Sequence, residues 1–129
     1  MSATEMTHEG VVAIAGEDGA VVCERCLVPR TIAGRMRGLL GRSELPPGEG
    51  MLLRRVRGIH TLFMRFVIDA VFLDRQQVVI GIDAEVRPWR FASRRRARAV
   101  LELPAGEGAR RGIHPGQRLT FIPVLEEER

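Results

Sequence analysis

Cys23 and Cys26 stand in C-x-x-C spacing, which serves either a dithiol redox pair or half of a zinc site. A redox pair works best at a helix N-terminus, where the thiol pKa is lowered. Here three residues and a proline separate Cys26 from the first helical pattern. On a regular strand, positions three apart also face opposite sides. Zinc needs two further ligands, and His8, His60 and His114 are not in ligand spacing. The pattern predicts buried or edge cysteines, with neither a metal nor a cofactor.

The second chemical cluster is His60-Thr61-Leu62-Phe63-Met64-Arg65-Phe66-Val67-Ile68-Asp69. If residues 62–73 are extended, Arg65, Val67, Asp69, Val71 and Leu73 share one face, and Phe66, Ile68, Ala70 and Phe72 the other. Both faces are largely apolar and should be buried. An ionised aspartate there is costly unless paired or hydrogen-bonded, so a guanidinium partner is expected. Arg65 is the first candidate, with Arg37 and Arg87 behind it. Two readings stay open: an ion pair that fixes strand register, or a polar patch in a pocket where Asp69 and His60 bind or move a proton.

Arg87-Pro88-Trp89-Arg90 sets the only tryptophan between two arginines. A guanidinium stacked on the indole would order this turn, and the same residues could rim a pocket for an anion or an aromatic ligand. Residues 87–98 hold six arginines, which suits a nucleic acid or an acidic partner, but the run of Arg94, Arg95, Arg96 and Arg98 lacks interleaved aromatics and matches no recognised module. Enzyme signatures are missing. Ser43 and Ser93 lie in no G-x-S-x-G elbow, and neither a phosphate-cradling G-x-x-x-x-G-K nor H-E-x-x-H occurs. Asp69 and Asp74 would fall on opposite faces of a strand, which argues against a carboxylate pair.

The elements that must position these residues are mostly strands. Residues 11–15 and 20–26 are β-rich runs around Gly16-Glu17-Asp18-Gly19, whose Asp-Gly suits a hairpin turn. Thr31 can cap a helix over 31–41, with Ile32, Met36, Leu39 and Leu40 on one face. Pro46 and Pro47 break the chain. Strands resume at 50–53, 62–73, 78–83, 99–103 and 118–124, with a short helix within 104–112. The pattern points to a mainly β fold, a sandwich or barrel, rather than alternating α/β.

With 129 residues, 45% hydrophobic and 28% charged, the chain can bury one core, so a single domain over 1–129 is expected, its core at 11–124 between short flexible tails. All twenty basic residues are Arg and the net charge is +4; codon bias in a GC-rich genome accounts for the missing Lys. No apolar run approaches a bilayer span, and the first ten residues do not read as a secretory signal, so the expected location is cytoplasmic.

Several blocks, taken in order, resemble one family. They are Arg37-Gly38-Leu39-Leu40-Gly41-Arg42; Gly50-Met51-Leu52; His60 through Met64-Arg65 to Asp69-Ala70-Val71-Phe72-Leu73-Asp74; Arg87-Pro88-Trp89; and Val100-Leu101-Glu102-Leu103-Pro104-Ala105-Gly106. Across about residues 21–121 the chain resembles domain of unknown function 192, also called uncharacterised protein family 0127. The resemblance implies a jelly-roll-like sandwich with a short helix, and no reaction or cofactor. Many relatives carry an export signal. Val67 stands where the family usually has proline, and Phe63 where many relatives have tryptophan.

The combined expectation is a jelly-roll-like sandwich or partly open barrel with one or two short helices. Its leading function is a non-catalytic accessory domain that binds a small molecule or a protein segment through Arg37, His60, Arg65, Asp69, Arg87 and Trp89. The alternatives are a hydrolase-like enzyme using His60 and Asp69, and a binder of nucleic acid or an acidic partner through 87–98.

Overall fold

A computed structural model describes residues 10–30 and 43–124. The helix expected at 31–41, and Arg37 with it, lie outside the described residues. The described residues form nine strands in chain order: β1 (Gly10–Gly16), β2 (Val21–Val28), β3 (Glu49–Arg54), β4 (Gly58–His60), β5 (Ile68–Leu73), β6 (Val79–Val86), β7 (Phe91–Ser93), β8 (Ala99–Pro104) and β9 (Leu119–Pro123). One short helix, α1 (Glu107–Arg110), sits between β8 and β9.

Seven strands form one sheet in the order β6-β5-β8-β3-β2-β1-β9, and β4 and β7 form a separate two-stranded ribbon. The large sheet is mixed, because β2 and β3 run parallel while its other pairs are antiparallel. It curls but does not close. The segments leading into its two edge strands meet at an isolated bridge between Val78 and Arg118, where Leu119 N–H donates to the Gln77 carbonyl at 2.9 Å and Val79 N–H to the Gln117 carbonyl at 2.8 Å. The fold is thus mainly β with one short helix among the described residues, as the alternating apolar runs required.

Curling gives the sheet two buried faces. Val71, Leu73, Leu101 and Leu52 enter one core cluster with Ile14, Val22 and Leu119. Ile68, Ala70, Phe72, Met51 and Val100 enter a second, which the ribbon covers through Ile59 and Ala92. All six residues of β5 are buried, as their apolar character on both faces predicts. The first hairpin is also as read: Gly19 takes a φ of 87° and its N–H donates to the Gly16 carbonyl at 3.0 Å.

Two local expectations fail for identifiable reasons. The strand expected over 62–73 begins only at Ile68, because Met64 N–H donates back to the Thr61 carbonyl at 3.2 Å and closes a turn. Arg65 therefore lies just past that turn, exposed and outside the strand that carries Asp69. The cysteines do not face opposite sides. Val12 pairs with Cys26 and Ile14 with Cys23, so Glu24 and Arg25 together oppose Ala13. This bulge turns both charged side chains outward and both thiols into the same core cluster.

Candidate functional site

Asp69 is 1% exposed, and among the described residues no guanidinium holds it. Its Oδ1 accepts the Glu85 N–H at 2.9 Å, and its Oδ2 accepts the Gly106 N–H at 3.1 Å and the Gly108 N–H at 2.9 Å. The expected arginine partner is thus replaced by three backbone amides, which satisfy a buried carboxylate without bringing in a second charge. Gly106 precedes α1 with a φ of 89° and has no side chain to cap it. Asp69 supplies that cap from β5 and ties β6, β5 and α1 into one unit.

His60 is elsewhere. It lies exposed on β4, where its Nδ1 accepts the Leu62 N–H at 3.3 Å and its ring faces Phe91, with centroids 6.2 Å apart. The His60–Asp69 acid–base pair is not assembled, since one side chain is sealed under the sheet and the other points to solvent.

The residue that organises the exposed side is Thr61, fully buried at 0%. Its Oγ1 donates to the Arg87 carbonyl at 2.7 Å and accepts the Arg90 N–H at 2.9 Å. Its own N–H donates to the Arg90 carbonyl at 2.9 Å, and its carbonyl accepts the Trp89 N–H at 3.0 Å. This one threonine fastens the 61–67 loop to the 87–90 loop, so two segments distant in sequence present one surface.

That surface is aromatic. Phe63 and Trp89 lie with centroids 4.8 Å apart and planes tilted by 60°. Phe63 is 61% exposed, Trp89 55% and Phe91 76%. Phe63 and Trp89 each have a φ of 67°, a left-handed conformation that costs a bulky residue about 1–3 kcal/mol and concentrates at functional sites. The indole thus packs on Phe63, not under a flanking guanidinium. Among the described residues a guanidinium–ring contact forms instead between Arg94 and Phe72, 4.6 Å from the centroid. Gly81 leaves room for it, as a Cβ there would come within 2.7 Å of Arg94 Nε.

The ribbon carries these rings because its pairing is tight. Gly58 faces Ser93, Ile59 faces Ala92 and His60 faces Phe91. A Cβ on Gly58 would lie 2.6 Å from the Ala92 carbonyl oxygen, so only glycine allows the two strands to meet there. Period-two alternation sends Ile59 and Ala92 into the core and His60 and Phe91 outward. A shallow groove of ≈ 390 Å³ runs over Gly58, His60, Phe91 and Ser93. A second, of ≈ 490 Å³, lies between the end of β6 and Arg87, Arg90 and Phe91, so Phe91 stands between them.

Arginines flank both ends of the ribbon. Arg87 and Arg90 lie beside the His60–Phe91 end, and Arg57 is at the other, its carbonyl accepting the Arg94 N–H at 3.0 Å. Arg57, Arg65, Arg87 and Arg90 are exposed and have no carboxylate partner among the described residues. Residues 54–98 hold eleven arginines against four acids. Of the two carboxylates in the second groove, Asp83 is held by Arg94 at 2.7 Å and Glu85 is exposed.

The expected site residues thus separate. Arg65, Arg87, Trp89 and His60 belong to the loops and ribbon of the exposed side, while Asp69 lies beneath. Phe91 and Thr61 are additions the sequence reading did not single out. Phe91 had a visible signal, an aromatic two residues after Trp89 within an arginine-rich run. The cysteine pair is buried apart from this face. Cys23 Sγ donates to the Gly48 carbonyl at 3.6 Å. The neighbouring Cys26 thiol holds Cys23 below the usual thiol range, and the same contact, with burial, pushes Cys26 up. Among the described residues no group of three or more His, Cys, Asp or Glu could hold a metal, and no helix is long and apolar enough to cross a membrane.

Comparison with known proteins agrees with this architecture. The model of the family DUF192, described as "Uncharacterized ACR", matches residues 13–121. A UPF0127 protein of Pyrococcus furiosus is 36% identical over 68 residues, covering 52% of this chain and 58% of that protein's length. A crystal structure of a protein of unknown function from Novosphingobium aromaticivorans superposes with a TM-score of 0.72 at 26% identity, covering 93% of this chain and 97% of the other. A proposed transcription regulator from Sinorhizobium meliloti superposes with a TM-score of 0.70 at 24% identity, covering 88% and 93% of the two chains, a likeness of fold alone.

Proposed function

We propose, from the premise that this chain belongs to the DUF192 family, that it is a non-catalytic binding domain whose recognition face is the β4–β7 ribbon with its two flanking loops. The ligand is an anion that carries a flat ring. Rings of this kind stack on exposed aromatic side chains, and unpaired guanidinium groups receive the charge. The observation that carries the reading is that Phe63, Trp89 and Phe91 are each more than half exposed while the first two are held in costly backbone conformations. A fold with no use for that surface would bury these rings or replace them with polar residues.

Trp89 is the only tryptophan, so intrinsic fluorescence reports directly on this face. A nucleoside monophosphate should quench Trp89 and raise the melting temperature of the wild-type protein, and Phe91→Ala should weaken both effects. The reading fails if a panel of ring-bearing anions leaves fluorescence and melting unchanged, or if Phe91→Ala together with Arg90→Ala responds as the wild type does.

A further inference from the structure

The ribbon has the parts of a site for a polymer as well as for a single ring. Its rings form two separate stations, His60 with Phe91 and Phe63 with Trp89. Its cations are spread along it, with Arg57 at one end and Arg87 and Arg90 at the other. A small anion needs one ring and one or two guanidinium groups. Repeated rings among cations spaced along an open groove match a chain that alternates flat bases with phosphates.

We propose that the β4–β7 ribbon binds single-stranded nucleic acid, with unpaired bases stacked on Phe91 and on the Phe63–Trp89 pair and phosphates received by Arg57, Arg87 and Arg90. This rests on the ring-and-anion reading above and extends it to a strand. A duplex is disfavoured, because its bases are stacked on one another and cannot open onto side-chain rings. An acidic protein segment would meet the arginines but has no use for the exposed aromatics. The groove beyond Phe91 holds the exposed Glu85 as well as Arg87 and Arg90, so a phosphate is received there on the arginine side and the strand continues from it along β4 and β7.

The test uses the full chain with 12-nucleotide oligouridine and oligo-dT, uridine monophosphate, a 12-base-pair duplex and heparin. Both single strands should quench Trp89 and bind at least about tenfold tighter than the mononucleotide, with affinity falling as salt rises. Phe91→Ala should weaken single-strand binding by about tenfold, the scale of one lost base stack, and leave heparin binding unchanged. Phe91 is 76% exposed, so this variant should fold, and its melting curve verifies that. If the mononucleotide binds as tightly as the 12-mers, the strand proposal falls and the ring-and-anion reading stands. If the single strands bind no better than heparin or duplex and Trp89 is not quenched, both fall. An unchanged single-strand affinity in Phe91→Ala also overturns the strand proposal.

Discussion

Two regions of this molecule hold groups that cost free energy, and they dispose of that cost in opposite ways. Beneath the sheet, the Asp69 carboxylate is sealed from water, and three backbone amides accommodate it completely. The buried Glu107 beside it is matched by Arg110 at 2.7 Å and Arg111 at 3.0 Å. On the ribbon side, strained aromatic residues face solvent among arginines that have no carboxylate partner among the described residues. A satisfied group has no interaction left to offer a ligand, whereas an exposed ring and a free guanidinium do. Burial of a charge therefore marks architecture here, and exposure of costly groups marks the binding face.

The contrast can be broken first at Asp69. Asp69→Ala orphans the buried Gly108 N–H and the partly buried N–H groups of Glu85 and Gly106 and should lower stability by about 2–4 kcal/mol, a large part of what a domain of this size possesses. Urea unfolding measures it, and a loss under about 1 kcal/mol would remove the clamp from the account. Any variant that remains folded should still bind at the ribbon.

Thr61→Val keeps the side-chain shape and deletes its hydrogen bonds to the Arg87 carbonyl and the Arg90 N–H. The expected loss is about 2–3 kcal/mol, and here binding should weaken too, because the loops lose their fastening. Equal urea midpoints for variant and wild type would contradict this. Gly58→Ala forces a Cβ against the Ala92 carbonyl, and should cost about 1–3 kcal/mol and loosen β4 from β7. Faster hydrogen exchange confined to those strands is the expected signature, and unchanged protection there would count against it.

The smallest effect is the most discriminating. Trp89→Gly removes a large side chain but also relieves a φ of 67°, so stability should move by less than about 1 kcal/mol while ligand binding drops sharply. A strong destabilisation would show that the indole is a packing residue and not a recognition residue.

The sequence disclosed much of the framework and less of the site. The Asp-Gly hairpin, the doubly apolar β5 and the short helix after Pro104 are local signals, and each appears where the pattern put it. Asp69 was legible as a buried charge. Its partners were not, since backbone amides of Glu85, Gly106 and Gly108 carry no mark in a residue string. Period two also misplaced Arg65 and the cysteines, because a turn at Thr61–Met64 and a bulge at Glu24–Arg25 each shift the alternation. The ribbon was hidden for a further reason. Phe63 and Trp89 are neighbours only through the hydrogen bonds of Thr61, a residue of unremarkable type in the sequence.

Hydrogen exchange of the wild-type protein with and without 12-nucleotide oligouridine tests the central claim most directly. Protection should rise in β4, β7 and the loops 61–67 and 87–90, and stay unchanged at 105–110 around the Asp69 clamp. Protection gained at 105–110 with none at the ribbon would mean that the buried carboxylate marks the site after all.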